Sequence, residues 1–150
     1  MMTSVDLLRA LHVTAAVLLV GNATVTGFWA VFLYRVRDTV PFRQVARAIL
    51  WADFFFTAIG GTLLAITGIL LLRARGLLFL ETRWVVKGAG SLAVALLLWL
   101  IFLIRDQLKL MRMPKDDRRG LRSVFMRWAI LGSVVTLVLF YGLWAMVMKR

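Results

Sequence analysis

An all-α integral membrane fold, with four transmembrane helices in an antiparallel bundle, follows from three observations on the sequence. Hydrophobic residues make up 62% of the 150 and the mean hydropathy is +0.88, which is more apolar surface than one soluble core of that size hides. This surface falls into four runs, each long enough to cross a hydrocarbon layer of about 30 Å, which takes roughly 20 residues at ~1.5 Å of rise each. The runs do not alternate in polarity. LLAITGILLL and SLAVALLLWLIFL lack the period of two that barrel strands carry, and within a bilayer only helices or closed barrels satisfy the backbone.

The first helix spans residues 5–34. A signal peptide is the competing reading, with Arg9 as its charged region and residues 10–20 as its apolar one. The apolar run continues to Leu33, beyond the usual core of about 7–15 residues, and no small-residue cleavage site closes it, so the helix is assigned to the mature chain. The second helix covers residues 41–72, opened by Asp38, Thr39 and Pro41 and closed by Gly76. The third runs over 82–110 and the fourth over 121–148, separated by the break from Pro114 to Gly120. The four helices fill one domain, 1–150. Between the second and third, Leu77, Leu78, Phe79 and Leu80 form a loop as apolar as a span but too short to cross. It is expected in the outer interface or under a membrane-protein partner.

The net charge of +12 raises the question of nucleic acid, and the positions of the basic residues answer it. Around the first and third connections sit Arg35, Arg37, Arg43, Arg47, Arg105, Lys109, Arg112, Lys115, Arg118, Arg119, Arg122 and Arg127; at the opposite ends sit Arg9, Arg73, Arg75, Arg83, Lys87, Lys149 and Arg150. Under the positive-inside rule this bias puts the first and third connections in the cytoplasm of a bacterial inner membrane and both termini outside. Topology thus accounts for the charge, and no nucleic-acid role is assigned. Arg105, Lys109 and Arg112 form a rim at helical spacing that attracts anionic lipid. Trp29, Tyr34, Trp51 and Trp128 are expected at the inner boundary, Trp84, Tyr141 and Trp144 at the outer one, and Trp99 deeper, as packing.

Cysteine is absent and His12 is the only histidine, so thiolate sites, disulfides and two-histidine sites within one chain are excluded. No phosphate loop, G-x-S-x-G elbow or H-E-x-x-H pair occurs. This leaves the polar groups carried into the membrane, which are costly there and often functional. His12 and Lys87 each lie about one turn inside the outer boundary, a placement that suits a ligand or proton site as well as an interfacial imidazole beside a snorkelling lysine. Asp53 belongs on the order of 15–20 Å deeper, in the other leaflet, making two separate polar places. Asp53 is expected to meet a cation, Arg127 first, with Arg47 and Arg105 as further candidates, as a structural salt bridge or a proton or cation relay. Asn22 reads as the register pin of a packing seam, and Ala23 with Gly27, Gly61 with Ala65, and Ala89 with Ala93 have the spacing of small-residue contact faces.

The runs LLRALHVTAAVLLVGNATVTGFW, ILWADFFFTAIGGTLLAITG, RWVVKGAGSLAVALLLWL and MRWAILGSVVTLVLFYGLWAM resemble the bacterial predicted integral membrane proteins grouped as domain of unknown function 2269, over nearly the whole chain. More distantly, Leu11–His12 and the W-x-x-K element from Trp84 to Lys87 are similar to those of small membrane protoporphyrinogen oxidases and copper-resistance D-like proteins. That second resemblance implies a haem or porphyrin site, with His12 as ligand and Lys87 as its partner. Three functions remain in view: a non-catalytic accessory or structural subunit of a membrane complex, alone or as a homo-oligomer; a membrane haem-binding redox protein using His12; and a small cation-coupled transporter using Asp53. The last is expected to need a homodimer, because four helices offer little cavity.

Overall fold

The computed structural model describes residues 3–114 and 117–149; Lys115 and Arg150, counted in the charge bias above, lie outside the described residues. Four helices are long and apolar enough to cross a membrane: α1 Ser4–Arg35, α2 Phe42–Ala74, α3 Arg83–Arg112 and α4 Arg118–Met148. No strand occurs among the described residues. The helix limits fall within three residues of those expected, and local hydrogen bonding explains where they fall. Thr3 caps α1 through a reciprocal pair with Asp6, its hydroxyl accepting from the Asp6 N–H while the Asp6 carboxylate accepts from the Thr3 N–H. Gly76, at φ +61°, ends α2, with its N–H bonded to Arg73 O and that of Leu77 to Leu72 O, the Schellman pattern that needs a left-handed residue. Asp117 accepts from the Gly120 N–H at 2.9 Å, which draws α4 three residues further back than its apolar run suggests.

The helices stand at the corners of a square in chain order. α1 packs along α2, α3 along α4, and α1 also meets α4, while the basic-end halves of α2 and α3 close the fourth side. The closest approach is between α3 and α4, where a Cβ built at Gly142 would lie 2.8 Å from Ser91 Cβ. The small face that makes this contact is Gly88, Ser91 and Ala95, all buried. Ala89 and Ala93, the expected pair, lie on the other side of the same helix, Ala93 being exposed. In the α1–α2 contact Gly60 faces the backbone of Ala15 and Leu19, and Gly61 meets Leu96 of α3.

At the end carrying the first and third connections, an aromatic cluster ties three helices together. Tyr34 stacks on Phe125 with ring centroids 3.9 Å apart, and Phe42 meets both edge-on. Trp128 joins this cluster and is buried, so it belongs to the core and not to the interfacial belt expected for it. Trp29, Trp51, Tyr141 and Trp144 are exposed, as a lipid-facing belt requires.

Two stretches depart from α geometry: Asp53–Ile59 in α2 and Trp99–Leu103 in α3 are π-helical. A π turn widens the helix by taking its hydrogen bond from i+5, and such turns occur mostly as isolated features near functional sites. Here each begins at a residue of the same polar centre.

Candidate functional site

Asp53 is 93% buried and lies roughly 16 Å along α2 from its start, at ~1.5 Å per residue. Its surroundings are neutral donors from three helices. The Asn22 amide donates to Oδ1 at 2.9 Å and the Gln107 amide to Oδ2 at 2.6 Å. The Trp99 indole N–H at 3.4 Å and the Thr57 hydroxyl at 3.5 Å are longer contacts to the same carboxylate. Asn22 also donates to Thr57 at 3.2 Å. Asn22 and Asp53 meet because the α1–α2 hairpin is antiparallel and the two stand at nearly equal distances from its connection.

The expected cation is elsewhere. Arg127 donates through Nε to Asp106 at 2.8 Å and through Nη2 to its other oxygen, making an ion pair with a carboxylate only 2% exposed. Helical rotation explains the exchange: Asp106 and Gln107 are consecutive on α3 and point about 100° apart, so one reaches α4 and the other α2. Arg47 and Arg105 are exposed. Among the described residues no ion pair includes Asp53.

His12 and Lys87 are not brought together. They stand on α1 and α3, at opposite corners of the square, and Lys87 is exposed. The partner of His12 is Thr67 of α2, Nδ1 to Oγ1 at 3.0 Å. Because the Thr67 hydroxyl proton is directed to Leu63 O at 2.7 Å, Nδ1 carries the imidazole proton and Nε2 the lone pair. Thr67 lies 14 residues beyond Asp53 on the same helix, so the two polar places are about 20 Å apart along it.

Beside Asp53 a crevice of about 500 Å³ opens between α1 and α4. Asp53, Thr57 and Trp99 line its floor, while Phe28 and Leu137, both exposed, line its mouth. It exists because the facing walls are small: Ala23 and Gly27 on α1, Ala129, Gly132 and Ser133 on α4. A Cβ added at Gly27 or Gly132 meets nothing within 4 Å, so Gly27 faces open space where a helix contact was expected, while Ala23 packs against the core. Four helices therefore leave a crevice of this size within one chain. The hydroxyls of Thr24, Thr26, Ser133 and Thr136 each donate to the carbonyl four residues earlier on their own helix, at 2.6–2.9 Å, which is how such residues sit in an apolar helix without a free donor. The Trp128 indole N–H is buried without a partner, as is the Gln107 side-chain oxygen, and Trp128 lines the crevice.

Sequence reasoning missed Gln107 and Asp106, and it took Trp99 for packing. Matching depths across the first hairpin could have paired Asn22 with Asp53; nothing in the apolar run WLIFL signals the π turn that accompanies Trp99.

Fold and centre together define a polytopic membrane protein with a buried carboxylate beside an open crevice. The chain belongs to the predicted integral membrane proteins (DUF2269), whose family model matches residues 6–150. No curated protein and no solved structure matches it.

Proposed function

We propose that the protein is a non-catalytic binding module of a bacterial inner membrane, with both termini outside, which admits a small lipid-soluble ligand sideways between α1 and α4 and anchors it at Asp53. The observation that carries this is a buried carboxylate without a counter-charge on the floor of a crevice of about 500 Å³. Small-molecule sites of ~300–1,000 Å³, mostly apolar with a few placed polar groups, are the common pattern. Two π-helical stretches meeting at the same carboxylate add support.

The test is equilibrium binding of two aryl probes of similar shape, neutral triphenylphosphine oxide and cationic tetraphenylphosphonium, to protein in zwitterionic nanodiscs. Saturable binding of at least one, lost in Gly27→Trp at unchanged thermal stability, is the expected result. A Cβ at this position meets nothing within 4 Å, so the new side chain starts into the crevice, and the unchanged thermal stability checks that the helices keep their contacts. Saturable binding of neither probe overturns the reading.

An accessory-subunit role keeps one specific support, the loop in which Leu78 is 62% and Leu80 83% exposed. Such a surface suits lipid or a membrane-protein partner. A haem reading rests on the free Nε2 lone pair of His12, whose Nδ1 is oriented by Thr67 in the way metal-ligating histidines are. It lacks Lys87 as a partner, and His12 does not line the crevice. For these reasons the Asp53 crevice is preferred.

A further inference from the structure

The crevice also carries information on ligand charge. Its polar lining is almost wholly of acceptors: the Asp53 carboxylate on the floor, and on the walls the hydroxyls of Thr24, Thr26, Ser133 and Thr136, whose protons are committed to backbone carbonyls and whose lone pairs remain. No lysine or arginine lines it. Asp53 has two firm donors, at 2.6 and 2.9 Å, against about four acceptor sites on a carboxylate. Among the described residues the one buried side-chain donor without a partner is the Trp128 indole. Trp99, Trp128, Phe28 and Phe140 supply aromatic surface, whose faces attract cations. In the low-dielectric surroundings of an apolar bundle the field of such a lining is weakly screened. A neutral ligand gains packing and at most neutral hydrogen bonds here, whereas a cation gains the counter-charge interaction that Asp53 lacks among the described residues.

From this we infer that the ligand class is a lipophilic organic cation, seated with its charge at Asp53 and its apolar groups against the aromatic walls. The inference rests on the binding role proposed above. Tetraphenylphosphonium serves as probe because its charge is permanent and it donates no hydrogen bond; triphenylphosphine oxide is its neutral aryl counterpart, which likewise donates none and whose oxygen accepts. Relative to binding to the Gly27→Trp protein in the same zwitterionic nanodiscs, the wild type is expected to favour the cation at least tenfold. Asp53→Asn is expected to abolish that preference, and Asp53→Glu to keep most of it. Saturable, Gly27→Trp-sensitive binding of both probes with equal affinity overturns the cation inference and leaves the binding module standing. Absence of crevice-dependent binding for either probe removes both. A cation preference that persists in Asp53→Asn also overturns the inference, by assigning the selectivity to another group. Should Asp53→Asn fail to fold, the wild-type ratio of the two affinities decides alone.

Discussion

Asn22 and Gln107 each donate one firm hydrogen bond to Asp53, yet their removal should not cost the same. Asn22→Leu deletes the 2.9 Å bond to Oδ1 and the 3.2 Å bond to Thr57, leaving Oδ1 only the long Thr57 contact. A bond to a charged acceptor contributes about 1.5–3 kcal/mol; interhelical bonds within membranes run lower, about 0.6–1.7 kcal/mol. A loss of about 2 kcal/mol is therefore expected for Asn22→Leu. Gln107→Met removes a similar bond, at 2.6 Å, but with it goes the buried side-chain oxygen that has no partner. Burying an unsatisfied carbonyl costs about 1–3 kcal/mol, which offsets most of the loss, and Met matches Gln in length and fills the same space. The net effect expected of Gln107→Met is below about 1 kcal/mol. Thermal unfolding in detergent, followed by tryptophan fluorescence, should place Asn22→Leu several degrees below Gln107→Met, given about 2–4 °C per kcal/mol for a chain of this size. The reverse order would refute the reasoning, since it would mean that the Gln107 oxygen is satisfied and that the Asp53 centre leans on α3 more than on α1.

Arg127→Met should lower the unfolding temperature by stranding Asp106, which is 2% exposed, and the double variant Arg127→Met/Asp106→Leu should regain part of that loss, because an unpaired buried charge costs more than an absent pair. Gly142→Ala should cost about 1–3 kcal/mol by overpacking against Ser91, 2.8 Å from the new Cβ. Gly27→Ala and Gly132→Ala, which enter open space, should be neutral or stabilising by up to about 1 kcal/mol in the same unfolding assay. The absorption spectrum of purified protein should show no Soret band that His12→Ala removes; such a band would reinstate haem. The chain has no cysteine, so single cysteines at Thr39 and Glu81 report orientation: an impermeant maleimide on intact cells should label the second and spare the first.

Most of the architecture was legible because the bilayer imposes it. Backbone satisfaction forces helices, thickness sets their lengths, and Gly76 marks an end by chemistry that does not depend on neighbours. Packing was less legible. In water the core face of a helix is distinguished from the outer face by hydrophobicity, but in lipid Val94 and Leu97, exposed, are as apolar as Val135 and Leu139, buried. Small residues then mark two opposite situations, backbone contact at Gly142 and open space at Gly27, and the spacing of four that joins Ala23 to Gly27 fits either.

The site was legible as two of its residues, Asn22 and Asp53, and not as a set of pairs. Asn22 and Asp53 stand out by cost alone, since each brings polarity into an apolar segment, as do His12 and Lys87, which lie elsewhere. Charge complementarity then suggests joining Asp53 to Arg127, and the structure shows why that rule misleads here. Asp106 takes Arg127, and a rotation of one residue on α3 hands Asp53 to Gln107, so the carboxylate deeper in the helix is left among neutral amides. Two ion-pair partners were available for one arginine, and only the azimuth of α3 decides between them; its last turns carry polar residues both buried, Asp106 and Gln107, and exposed, Arg105, Lys109 and Arg112, so polarity does not mark which face turns inward. The consequence falls on the crevice: had Arg127 reached Asp53, the floor would be a closed pair, whereas its engagement by Asp106 leaves the crevice with an acidic floor and no cation among the described residues to neutralise it.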